Sequence, residues 1–230
     1  MTSKNFQLLD LKKSIVFEDT HLLVINKPAG LLSQGEHTGE ANLVDLLREY
    51  LGRPYVGLVH RLDRNTSGLL VVAKRSKSAE RLTSSLQEGT LKRKYKALLN
   101  GCIEAGQTLR WRHWLKKDEK TNKTEVFALK TSGCKEATLT LLSHGSKNFE
   151  GKIVSLVTLE LETGRSHQIR AQSSFERFPL LGDAKYGAPH TAFGRTALHS
   201  YYLEFPHPKE GEGIKVFETD LPADMKKIFT

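Results

Sequence analysis

The run Leu69-Leu70-Val71-Val72-Ala73 has no polar residue on either side of a two-residue alternation. A strand that is apolar on both faces must lie in the interior of a sheet, covered on both sides. Such a strand is fed here by a polar turn, His60-Arg61-Leu62-Asp63-Arg64-Asn65-Thr66-Ser67-Gly68, in which one carboxylate stands between two guanidinium groups. Flanking cations keep a carboxylate ionised and oriented. Thr66, Ser67 and Gly68 make the turn compact through local hydrogen bonding. Asp63 is therefore expected at the mouth of a buried strand. An isolated Arg-Leu-Asp is usually an ordinary surface ion pair; its setting is what singles this one out.

The remaining pattern surrounds that strand with others. Ser14–Asp19 and His21–Asn26 read as short strands, stopped by Lys27-Pro28-Ala29-Gly30. Asn42 caps a helix through Arg48 with Leu43, Leu46 and Leu47 inward. Tyr55–Val59 reads as a strand and Ser78–Gln87 as a helix with Ala79, Leu82 and Leu86 inward, ending near Gly89. Lys92–Leu99 alternates basic and apolar residues before the turn Asn100-Gly101. Between Cys102 and Ser146 strands are expected near Val126–Leu129 and Ala137–Leu142, with Lys116–Lys123 as an exposed excursion. Ile153–Leu161 is a strand, Ser166–Ser174 a helix, and Ala197–Phe205 a final strand. Strands outnumber helices without alternating with them, which makes the fold class α+β. No repeat, low-complexity tract or long linker divides the chain. Residues 1–13 read as an N-terminal arm and 14–230 as the main domain.

At 230 residues the chain fits one sizeable domain or two fused subdomains. Its longest apolar runs are too short to span a bilayer, and the first 13 residues lack the apolar core of a secretory signal, so an intracellular, cytoplasmic location is expected. Cys102 and Cys134 are too far apart for a metal pair and too few for a disulfide framework. Thirty-five Lys and Arg against 26 Asp and Glu give a formal charge of +9 and a pI near 9.5, which attracts polyanions. The cations are interleaved with rings. Lys92, Arg93, Lys94 and Lys96 surround Tyr95; Arg110, Arg112, Lys116 and Lys117 surround Trp111 and Trp114. That arrangement suits a splayed nucleotide strand, although a solvated strand edge guarded by lysines has the same composition.

The turn from His60 to Gly68 resembles the HRLDxxTSG motif of the RluA-type RNA pseudouridine synthases. Ile25–Leu31 resembles that family's NKPAG element, Arg93-Lys94-Tyr95-Lys96-Ala97 its K-x-Y-x-A strand, and Leu161–Arg170 its TGRxHQIR segment. Gly182–Gly187 and Leu198-His199-Ser200 echo two weaker elements. They occur in family order over roughly residues 14–208. The resemblance implies a pseudouridine synthase fold: a mixed, largely antiparallel sheet shared by two subdomains that flank an RNA-binding cleft. It implies a cofactor-free isomerisation in which the Asp63 carboxylate attacks the target nucleotide or takes a proton from its sugar. The uracil detaches, turns and is rejoined through carbon.

By the same resemblance Arg165 pairs with the catalytic aspartate, Tyr95 stacks on the flipped uracil, and Arg61 fills the space the base leaves. Arg64, Thr66, Lys94 and Arg170 are candidate substrate contacts, and Ile169 a wall of the pocket. His60 and His167 have no partner at ligand spacing, so structural hydrogen bonds are expected of them and no metal. The implied partner is a loop of ribosomal or transfer RNA, from which a base is extruded at a cost of a few kcal/mol. No obligate protein partner or membrane is implied, and a monomer is expected. Relatives often carry an S4 domain ahead of the catalytic one; only about a dozen residues precede the first strand here, so target choice is expected to rest on the catalytic domain. Gln172 stands where relatives more often have His. Two rivals are a catalytically silent RNA-binding protein on the same scaffold and a zinc deaminase. The trio Asp63, Tyr95 and Arg165 argues against the first, and the lack of a PCxxC pair against the second.

Overall fold

Leu69–Ala73 does form an interior strand. In the computed structural model, which describes residues 7–35, 39–189 and 191–229, every residue of β4 (Ser67–Ala73) is buried. The chain divides into two compact units. The first comprises Met1–Arg93 and Ser200–Asp220, the second Lys94–His199 and Leu221–Thr230.

The first unit contains α1 (Leu8–Ser14), β1 (Ile15–Glu18), β2 (Leu22–Lys27), α2 (Leu43–Leu51), the short β3 (Gly57–Leu58), β4 and α3 (Ser76–Gln87). To these it adds most of β10 (Leu198–Pro206) and all of β11 (Ile214–Glu218). Its strand order is β1-β2-β4-β10, with β11 on β10 and β3 on β4. The pairs β1–β2, β2–β4, β3–β4 and β10–β11 are antiparallel.

Alternation sorts the strand side chains. Leu22 and Val24 of β2, Leu69, Val71 and Ala73 of β4, and Leu203 and Phe205 of β10 form one core with Leu82 of α3. The intervening Leu23, Ile25, Leu70 and Val72 are fully buried as well, as are Leu11 of α1 and Leu43 and Leu47 of α2. Each such side chain contributes roughly 1.5–3 kcal/mol on leaving water. Asn42 caps α2 as expected, accepting the Asp45 N–H, and Gly52 ends the helix in the left-handed region. The buried stripe uses Val44 in place of Leu46.

The second unit holds the rest of β5 (Lys92–Asn100), then β6 (Thr108–Asp118), β7 (Lys123–Phe127), β8 (Lys135–Phe149), β9 (Lys152–Leu161), α4 (Gln168–Phe175) and α5 (Ala223–Phe229). Its order is β5-β9-β8-β6-β7, with every neighbour antiparallel. A second core gathers Leu98, Val154, Leu181, Ala197 and Met225.

Several elements differ from the sequence reading. Residues Lys116–Lys123 are mostly exposed, as expected, but they are ordered as a hairpin in which β6 runs through Asp118 and turns into β7. The expected arm carries α1, whose Leu11 is fully buried. The strand read over Tyr55–Val59 shrinks to two residues, and β11 and α5 were not anticipated.

Candidate active site

Register explains how the Asp63 turn is built. In the β2–β4 ladder Lys27 lies opposite Gly68, so the Lys27–Ser33 loop leaves β2 where the Asp63 turn enters β4. The two loops interlock through hydrogen bonds. Lys27 is fully buried, and its Nζ donates to the carbonyls of Pro28 (3.0 Å), Leu31 (2.8 Å) and Arg64 (3.2 Å). The Gly30 N–H donates to the same Arg64 oxygen at 2.7 Å, from a backbone at φ +90° that favours glycine. Ser33 Oγ donates to the Leu62 carbonyl at 2.6 Å and accepts the Leu62 N–H at 3.2 Å. Thr66, itself buried, closes the turn by donating its N–H to the Asp63 carbonyl at 3.0 Å. The residues on either side of Asp63 are thus pinned through their main chain, and Asp63 itself is half-buried.

Gly68 makes the exit of the turn possible. Its φ is +112°, and a Cβ there would stand 2.1 Å from the Ser200 carbonyl oxygen of β10. His60, at the start of the turn, is buried. Burial, with a smaller contribution from the charge of Arg93, pushes its imidazole down to about 3, so it is neutral and accepts the Val71 N–H at 3.3 Å. Arg61 is exposed. Arg64 is exposed too and grips Glu40 with both terminal nitrogens, at 2.8 and 3.0 Å. Glu40 is a partner the sequence did not suggest.

In the second unit Tyr95 is buried on β5 opposite Leu159. The cations around it and along β6 have neighbours across the strands. Lys94 pairs with Glu160 (3.4 Å), Arg110 with Glu162 (2.8 Å) and Arg112 with Glu136 (2.7 Å). Lys96 donates to Thr158 Oγ1 at 2.8 Å and lies 2.9 Å from His144 Nε2; burial holds its ammonium below the usual lysine range. The basic–aromatic pattern is therefore largely a cross-strand ladder of exposed ion pairs, each contributing under about 1 kcal/mol.

The loop after β9 carries Arg165, which is exposed. Its main-chain N–H donates to Gln168 Oε1 at 3.0 Å and its Nε to the Glu136 carbonyl at 2.9 Å. His167, at φ +50°, precedes α4, and its Nδ1 lies 2.8 Å from the Tyr186 hydroxyl. That hydroxyl also accepts the Thr124 N–H of β7 at 2.8 Å, and burial pushes the phenol up. Ile169 is buried in α4. Arg170, expected to meet substrate, grips the buried Asp183 with Nε and Nη2 at 2.6 and 2.8 Å and lies over the Tyr186 ring. That pair braces the end of α4 against the Ala184–Tyr186 turn. Gln172 is fully buried, its amide 3.0 Å from His113 Nδ1 and 3.2 Å from the Ala137 carbonyl.

Comparisons with known proteins bear on both loops. The family model described as RNA pseudouridylate synthase matches residues 21–175, which include the Asp63 turn, Tyr95 and the Arg165 loop. The chain belongs to the RNA pseudouridylate synthase family. It is 36% identical to ribosomal large subunit pseudouridine synthase D of Neisseria meningitidis over 94% of this chain and 60% of that protein. It is 37% identical to the uncharacterized RNA pseudouridine synthase YlyB of Bacillus subtilis over 93% of this chain and 71% of that one. The chain thus spans about 60–70% of the length of these relatives. Among solved structures, human RNA pseudouridylate synthase domain containing 1 superposes with a TM-score of 0.74 at 25% identity, covering 96% of this chain and 85% of that one. The fold class is that of the synthase family: α+β, with mostly antiparallel sheet. Among the described residues no helix is long and apolar enough to cross a membrane.

Lys27, Ser33, Gln168 and Tyr186 received no role from sequence reasoning. Three of them sit within or beside quoted motifs, so position in the motif was an available signal. Burial was not.

Proposed function

We propose that this chain isomerises uridine to pseudouridine in large-subunit ribosomal RNA, with Asp63 as the reacting carboxylate. The observation that carries the reading is the main-chain clamp on Leu62 and Arg64, built by Ser33, Gly30 and the buried Lys27. A surface aspartate in an incidental ion pair has no need of a buried ammonium and a buried hydroxyl holding the residues beside it. A carboxylate that must meet one sugar carbon does, because misplacement of about 1 Å costs on the order of 100-fold in rate. Family membership and the names of the relatives support the choice of substrate.

In this reading the Asp63 carboxylate acts on the nucleotide while the bond between the sugar and uracil N1 breaks. The detached ring turns, the sugar carbon joins C5, the C5 proton leaves, and N1 takes up a proton in its place. Atoms balance without a cofactor. Tyr95 supplies the flat surface for the extruded base and Arg165 a guanidinium fork for an anionic group. Arg61, Arg64, Thr66 and Ile169 shape the substrate's surroundings, while Lys94 and Arg170 act from their places in the Glu160 and Asp183 pairs.

Loss of the C5 hydrogen provides the assay. Purified protein is incubated with a large-subunit rRNA transcript carrying tritium at uridine C5. Wild type is expected to release tritium and Asp63→Asn to release none while binding the transcript at least as well, having one negative charge fewer among phosphates. Turnover by Asp63→Asn would remove Asp63 from the chemistry.

A further inference from the structure

We propose that Gln168 is the positioning residue for Arg165, and that turnover depends on it through that arginine rather than through the stability of the fold. The inference deepens the function just proposed and rests on it. Gln168 is the first residue of α4 and is buried. Its Oε1 accepts from two donors, the Arg165 N–H (3.0 Å) and the Thr163 hydroxyl (2.8 Å), while its Nε2 donates to the Thr138 carbonyl (3.1 Å). These partners fix which way the amide points, since reversal would set donors against donors and a carbonyl against a carbonyl.

The same strand holds the other end of the arginine. Thr138 belongs to β8, and its N–H donates to Thr163 Oγ1 at 3.0 Å. Arg165 Nε donates to the carbonyl of Glu136, two residues earlier on β8. Main chain and guanidinium are therefore tied to one rigid element, the first through Gln168. The Nε contact uses one of five guanidinium donors and leaves Nη1 and Nη2 as a fork suited to a carboxylate or phosphate. A functional side chain presented from a loop is accurate only where such supporting bonds lock it. Glutamate at 168 would still accept from Arg165 and Thr163 but would set an oxygen against the Thr138 carbonyl. The native amide satisfies all three partners.

Two measurements test this. In single-turnover tritium release from C5-labelled large-subunit rRNA transcript, Gln168→Met is expected to slow turnover about 100-fold with KM unchanged. Gln168→Glu is expected to fall between Gln168→Met and wild type. In an Arg165→Lys background Gln168→Met should slow it by less than about 3-fold, because both changes spoil the same interaction. Losses that multiply across the two sites would overturn the proposal. If Gln168→Met does not fold, Gln168→Glu carries the same cycle. The second measurement needs no activity. Amide hydrogen exchange in peptides covering residues 163–168 should accelerate about 10-fold in Gln168→Met, with β9 peptides unchanged. Unchanged exchange in the loop, or acceleration throughout the unit, would overturn it. If wild type itself releases no tritium, the proposed function fails, and exchange alone decides whether Gln168 holds the loop.

Discussion

The loops bearing Asp63 and Arg165 are held by different chemistry. The Asp63 turn is clamped from a distance: Lys27 reaches Arg64 across 37 residues of sequence and spends a buried charge on three carbonyl oxygens. The Arg165 loop is clamped locally, by a neutral amide three residues downstream and by the strand beside it. A buried ammonium is tolerable only where its donors are satisfied, and here three carbonyl dipoles converge on it. That clamp couples two segments tightly and fails badly when broken. An amide clamp costs less to bury and, once removed, loosens its loop with less harm to the fold.

The contrast can be broken most directly at Lys27. Lys27→Met strands three carbonyls and should cost about 3 kcal/mol of stability in urea unfolding, together with activity. A loss below about 1 kcal/mol would mean the ammonium is not the principal clamp. Gln168→Met should cost much less, under about 1 kcal/mol by the same measurement, so that the two loops separate in stability as they do in construction.

The entrance to the Asp63 turn supplies a pH test. His60 is held at about 3 in the fold, against 6.5 in an unfolded chain. A depressed folded value means the unfolded state takes up the proton first. His60 therefore costs nothing above the unfolded value, and stability falls as pH drops from there toward the folded one, by roughly 1 kcal/mol per pH unit. His60→Gln, whose carbonyl can still accept the Val71 N–H, should flatten that part of the slope between about pH 7 and about pH 5 in urea unfolding. An identical slope in the variant would place the acid sensitivity elsewhere.

The smallest effect is expected at Glu40. Glu40→Gln removes the exposed Arg64 pair and should change stability by about 0.5 kcal/mol or less. A larger loss would mean the surface pair shares the work assigned to Lys27.

What could be read from sequence follows the same division between local and distant causes. β2, β4 and β9 were legible because each is an apolar run bounded by turn residues, and α2 because Asn42 caps it. β6 was not, since Thr108–Asp118 reads as a cationic, aromatic stretch whose partners lie far along the chain, Glu136 on β8 and Glu162 just after β9. Asp63 and Arg165 stood out through their motifs. Lys27 and Gln168 stood in those motifs without a role, because only the register of β2 with β4 and the proximity of β8 show what their buried polar ends meet. Arg170 carries a buried pair with Asp183 that nothing in its own motif announces.

The central claim is that this protein converts uridine to pseudouridine in ribosomal RNA through Asp63. Its most direct test is chemical mapping of pseudouridine in total RNA from cells lacking the gene, restored with wild type or with Asp63→Asn. The account predicts a large-subunit rRNA site whose modification disappears with the gene, returns with wild type and stays absent with Asp63→Asn. Restoration by Asp63→Asn, or no rRNA site that depends on the gene or on the purified enzyme, would contradict it.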